Sequence, residues 1–78
     1  MNIGEERGNR AGVAQSLHQI GMIYHLQKKY PEAFEYLLTA LAIFTELQSR
    51  HAQIAANNLS KLRDDWGEEA FEEAMRKR

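Results

Sequence analysis

The segment Leu17–Leu41, LHQIGMIYHLQKKYPEAFEYLLTAL, restricts the fold of this chain more than any other feature. It holds two apolar patterns of helical period, broken at Tyr30-Pro31. On the first side, Val13, Ala14, Leu17, Ile20, Gly21 and Tyr24 recur at i+3 and i+4 and make one stripe. On the second, Ala33, Phe34, Leu37, Leu38, Ala40, Leu41, Phe44 and Leu47 cover more than half a helix circumference, so this helix needs neighbours on two sides. Gly21 lies inside the first stripe, where a glycine costs about 1 kcal/mol against alanine. Close approach of a second helix supplies a reason, with Ala33 and Ala40 as the small residues on the facing side and Leu17, Tyr24, Tyr30 and Leu37 filling the space around the contact.

No window alternates apolar and polar residues over the length of a strand, and the chain has one proline. An all-α fold of about four helices follows. Helix one is expected from Ala11 to Gln27, with Lys28 and Lys29 at its negative end. Helix two runs from Pro31, a favoured first helical residue, to Gln48, led by Glu32 and Glu35. Helix three runs from His51 to Asp65 after a cap or link at Ser49, with Ile54, Ala55, Leu59 and Leu62 inward. Trp66-Gly67 reads as a stop. Helix four, Glu68 to Arg78, carries Ala70, Phe71, Ala74 and Met75 on one face. Glu68, Glu69, Glu72 and Glu73 lead it, and Arg76, Lys77 and Arg78 close it, which complements the helix dipole at both ends. Connections of a few residues make consecutive helices antiparallel hairpins.

The spacing around Gly21 resembles the tetratricopeptide repeat, whose pattern sets a large residue, Leu-Gly, Tyr, Ala and Phe at fixed offsets. Leu17 takes the large position, Ile20-Gly21 takes Leu-Gly, and Tyr24 takes Tyr. Tyr30 fits the aromatic at the turn, Ala33 the first alanine of helix two, Leu37 the following aromatic, and Ala40 the second alanine. Thr45 stands where the family often has proline. A weaker echo follows at an offset of 42 residues: Ala56, Leu59, Leu62 and Trp66 repeat Ala14, Leu17, Ile20 and Tyr24, with Arg63 in place of Gly21. The resemblance implies an α-solenoid fragment in three parts. Residues 1–10 are a tail or the stub of a preceding repeat, 11–48 a complete hairpin, and 49–78 a degenerate repeat with C-terminal capping helices. The ending NNLSKLRDDWGEEAFEEAMRKR resembles the C-terminal caps of bacterial arrays, many of them parts of larger signalling proteins that include ATPases.

The family's first helices line a concave groove that binds proteins or peptides. The matching positions are Gln15, His18, Gln19, Met22, His25 and Leu26 on helix one and Asn57, Ser60, Lys61 and Asp64 on helix three. Gln and Asn there can hydrogen-bond a peptide backbone, and Met22 offers adaptable apolar contact. The groove positions that grip a C-terminal carboxylate in one family variant are His18 and Met22 here, which speaks against that clamp. The resemblance therefore implies a non-enzymatic interaction module without cofactor. Two alternatives stand beside it. One is a homodimer joined through the face that a preceding repeat would cover, including Val13, Ile23 and Tyr24. The other is the C-terminal regulatory end of a larger signalling ATPase.

Other chemistry finds little support. His18 and His25 lie two turns apart, about 10.5 Å along the axis, too far for one metal ion. They read as exposed polar residues of the inner face. The Glu68–Glu73 carboxylates read as a solvated first turn, and no phosphate loop or nucleophile elbow is present. Asn58-Leu59-Ser60 matches a glycosylation sequon by chance in mid-helix. With 10 Lys and Arg against 11 Asp and Glu, the net charge of −1 does not suit a nucleic-acid partner. No apolar run reaches the roughly 20 residues of a membrane span, and MNIGEERGNR lacks the core of a signal peptide, so a cytoplasmic protein without membrane contact is expected.

Overall fold

A computed structural model describes the backbone of residues 3–77 and the side chains of residues 9–77. Among them are four helices and no strand: α1 (Ile3–Leu26), α2 (Tyr30–Glu46), α3 (His51–Trp66) and α4 (Glu68–Arg76). None is long and apolar enough to cross a membrane.

The α1–α2 contact is built as the glycine suggested. A Cβ on Gly21 would lie 2.8 Å from Leu37 Cγ and 3.2 Å from the Leu37 backbone nitrogen. The residue seated on Gly21 is therefore Leu37, and not Ala33 or Ala40 as the spacing suggested. Those two alanines are fully buried one turn to either side. Ala40 and Phe44 form one core cluster with Ala14 and Ala55, while Ala33, Phe34 and Leu37 form another with Leu59 and Leu62. α2 is thus the central helix, packed on α1 along one side and on α3 along the other.

Phe34 anchors the second cluster. Its ring meets Trp66 at 5.9 Å and Phe71 edge-on at 5.4 Å, and Tyr30 stacks on Trp66 at 6.4 Å. Aromatic pairs of this kind are worth about 0.5–1.5 kcal/mol beyond area burial. They hold α4, none of whose side chains is fully buried, through half-buried Phe71 and Ala74. Met75, expected on that inward face, is 48% exposed.

The first two connections share one geometry. After α1, Lys29 N–H bonds Tyr24 C=O and Lys28 N–H bonds His25 C=O; after α2, Ser49 N–H bonds Phe44 C=O and Gln48 N–H bonds Thr45 C=O. Both are Schellman closures. The left-handed position they need is taken by Lys28 (φ 64°) and Gln48 (φ 54°) rather than glycine. Ser49 Oγ then accepts the backbone N–H of His51 at the start of α3. The third connection is Gly67 alone, at φ 109° and ψ 136°, a conformation essentially confined to glycine. It ends α3 and begins α4, as Trp66-Gly67 indicated.

Several boundaries and faces differ from expectation. α1 starts at Ile3, ahead of Ala11, and at 24 residues outruns the 17 of α2. Arg10 in this extension makes an ion pair with Glu46 in the last turn of α2. Residues 1 and 2 of the proposed stub, and Arg78 of the closing basic run, lie outside the described residues. α2 starts one residue early, at Tyr30, and Pro31 occupies its first turn, where the missing N–H has no helical partner to lose. Val13 (53% exposed), Ile20 (37%) and Ile54 (49%) are not core residues, although the spacing puts the first two on the α1 stripe and the third inward on α3. The Gly21–Leu37 contact holds the α1–α2 interface to a narrow line through Ala14 and Gly21, which leaves the flanking positions 13 and 20 outside it. Ile54 lies on the flank of α3 that faces α1 rather than α2.

The Gly21 contact yields a direct test. Gly21→Ala gains about 1 kcal/mol of helix propensity, but it drives a methyl into a buried Leu and its backbone, an overpacking cost of about 1–3 kcal/mol. Urea unfolding should show a net loss of about 1 kcal/mol. In a double-mutant cycle, Leu37→Ala should relieve the clash, so that the two changes together cost clearly less than their sum. Simple additivity would refute the close contact.

Candidate functional site

α1 and α3 both pack on α2 and so run parallel, side by side. Two hydrogen bonds tie them. Asn58 Nδ2–H donates to His18 Nε2 at 2.6 Å, and His25 Nε2–H donates to Asp65 Oδ2 at 2.7 Å. The partners are 40 residues apart in both cases. His18 and His25 are separated by two helical turns, as are Asn58 and Asp65, so the two bonds form evenly spaced bridges along one valley. Between the helices, at the His25 end, Met22, His25, Leu26 and Lys28 face Asn58, Lys61 and Asp65, with Tyr30 at the end wall.

The helical period explains the set. On α1, Ala14, Leu17 and Gly21 point to α2, while His18, Met22 and His25 lie on the neighbouring flank. On α3, Ala55, Leu59 and Leu62 point to α2, while Ile54, Asn58, Lys61 and Asp65 share the flank toward α1. The valley is therefore polar where the helices touch and apolar along its lip. Met22 is 36% and Leu26 82% exposed. Lys28 and Lys61 stand at the rim without an ion pair among the described residues. Lys29, by contrast, lies over the Tyr24 ring at 5.8 Å.

The residues named from sequence divide into two groups. Met22, His25, Leu26 and Lys61 line the valley together, and His18 bridges it through Asn58. Gln15 and Gln19 are exposed and do not line it. Asn57 is exposed and accepts a hydrogen bond from Gln53 Nε2 on its own helix. Ser60 and Asp64 are exposed on α3. The α3 residues that meet α1 are Asn58 and Asp65, each one position beyond an expected residue. Repeat equivalence identifies corresponding positions in successive hairpins. It does not identify the flank of the second hairpin that touches the first. The 3.6-residue period counted from the α3 core stripe would have found Asn58 and Asp65.

The histidines are correspondingly less exposed than a solvated inner face implies; both are partly buried. Among the described residues no group of three or more His, Cys, Asp or Glu is placed to hold a metal ion.

Burial, with a smaller contribution from the nearby His51, lowers the pKa of His18 below the usual 6.5. The Asn58 bond requires the same neutral ring, because Nε2 must accept. Protons are therefore taken up more readily by His18 in the unfolded chain than in the folded one. The stability this group lends is complete above pH 6.5, declines as pH falls below 6.5, and is lost once pH passes below the lowered folded value. Thermal melts between about pH 7.5 and about pH 5.5 should show this decline, and His18→Gln should flatten it. An unchanged slope in the variant would mean that the ring does not sit neutral against Asn58.

No curated protein and no solved structure matches this chain. A family model described as Tetratricopeptide repeat matches residues 12–76. That span takes in the Gly21 hairpin, both Schellman connections, the α1–α3 valley and the whole of α4, and on that match the chain belongs to the tetratricopeptide repeat family.

Proposed function

We propose that this chain is a partner-binding module that takes a peptide or helix along the valley between α1 and α3. Membership of a family of protein-interaction scaffolds supports the coarse reading. The single observation that favours the valley is the exposure of Leu26, 82% open to solvent beside Met22, at the lip of a groove whose floor is fixed by two interhelical hydrogen bonds. A side chain so exposed contributes little to folding, since surface substitutions generally fall within about 0.5 kcal/mol. Leu26→Asp should therefore leave the melting temperature and helical signal almost unchanged. It should abolish binding to peptides selected against the native chain from a random displayed library. Selected peptides that bind the variant equally well would place the binding face elsewhere.

A second reading rests on a different face. Val13, Ile20 and Ile23 lie together on the flank of α1 away from α3, and 53%, 37% and 52% of their surface is exposed. A contiguous apolar strip of this kind favours self-association, and a second copy stacked there would lengthen the helical array. Light scattering over a dilution series tests it. A dimer that Val13→Glu with Ile23→Glu converts to monomer supports the strip as an interface. A monomer at every concentration removes this reading and leaves the valley as the surface to pursue.

A further inference from the structure

The valley has a chemical sign as well as a shape. At the His25 end its exposed apolar groups are Met22 and Leu26, and the rim above them carries Lys28 and Lys61 on opposite walls. Among the described residues the one carboxylate lining this end is Asp65, which accepts the His25 ring N–H at 2.7 Å. The acidic residues of the lower half of the chain lie mostly elsewhere: Glu68, Glu69, Glu72 and Glu73 are exposed on α4. The two lysines thus outnumber the carboxylate at this end and make no ion pair among the described residues. The Lys28 backbone is fixed by the Schellman closure at φ 64°, so its side chain starts from a defined point at the mouth.

From this charge complementarity we infer that the occupant is an acidic peptide segment carrying a bulky aliphatic side chain, the side chain lying on Met22 and Leu26 and flanking carboxylates meeting Lys28 and Lys61. This rests on the reading of the valley as the binding face and adds the chemistry of the partner. The apolar side chain gains by covering surface that water now covers. The carboxylates gain on-rate and discrimination more than raw affinity, and that part weakens as salt rises. A basic segment of the same shape is opposed at both rims.

Four short fluorescent peptides on one Ala/Ser frame test the inference: leucine flanked by glutamates, leucine flanked by lysines, leucine flanked by serines, and serine flanked by glutamates. Binding is read by anisotropy, and its location by shifts of the Met22, Leu26 and Lys61 amide resonances. The glutamate–leucine peptide should bind about tenfold tighter than the lysine–leucine peptide. Lys28→Glu with Lys61→Glu should reverse that order. Lys61→Glu alone, which leaves the helix end untouched, should shift it part of the way. Equal or tighter binding of the lysine–leucine peptide, with the same resonances shifting, would overturn the charge inference and leave the valley as the binding face. Equal binding of the serine–glutamate peptide would overturn the apolar part and reduce the contact to charge alone. Failure of every peptide to move those resonances would overturn both the inference and the reading beneath it.

Discussion

The contact of Leu37 with the bare backbone of Gly21 sets the geometry of this molecule. A side chain at position 21 would have no room, since even a Cβ would fall within 2.8 Å of a buried carbon. Close approach narrows the α1–α2 interface to a line of small residues, Ala14 and Gly21 on one helix and Ala33 and Ala40 on the other, with Leu37 between. Apart from Leu17 and Tyr24, which pack beside this line, the side chains of α1 then face some other way. One flank of α1 presents His18, Met22 and His25 to the valley. The opposite flank presents Val13, Ile20 and Ile23 to solvent. A looser hairpin would have drawn positions 13 and 20 into its core and left α1 with a single apolar face.

The next constraint is the turn. Two Schellman closures of the same form bring α2 back along α1 and α3 back along α2. Two antiparallel steps make α1 and α3 parallel neighbours, and that is why the interhelical bonds fall at one constant separation in sequence. Lys28 and Gln48 accept left-handed geometry at a cost of roughly 1–2 kcal/mol each against glycine, and the closures satisfy carbonyls that would otherwise be orphaned. At position 28 the non-glycine residue has a second consequence. It places a cation at the end of a helix, where the dipole favours it, and at the mouth of the valley.

Much of this was legible in the residues. Gly21 on an apolar stripe announced the close hairpin, Tyr30-Pro31 the break, Gly67 the stop, and the acidic start of α4 its polarity. The less legible parts share a cause: they depend on which flank of a helix meets which neighbour. Val13, Ile20 and Ile54 have the spacing of core residues, yet the width of the interface decides whether they enter it. Repeat equivalence points to Asn57 and Asp64, whereas rotation about the α3 core stripe decides the contact and brings Asn58 and Asp65 to α1. The left-handed turns were hidden because lysine and glutamine give no sign of them. The early start of α1 was hidden by Gly4 and Gly8, whose poor helix propensity marked the segment as irregular.

The polar character of the α1–α3 contact follows from the same architecture. α1 and α3 are each fixed by burial against α2, through Ala14, Gly21 and Leu17 on one side and Ala55, Leu59 and Leu62 on the other. Their mutual spacing is therefore already close to determined before any bond forms between them. The His18–Asn58 and His25–Asp65 bridges add little to global stability, since partly exposed hydrogen bonds and ion pairs are worth about 1 kcal/mol or less. Their effect is on register: two bridges two turns apart resist sliding and rolling of one helix past the other. An apolar contact there would hold the helices as firmly, but it would close the valley over its own floor. Polar bridges hold the valley open, with Met22 and Leu26 left uncovered at its lip.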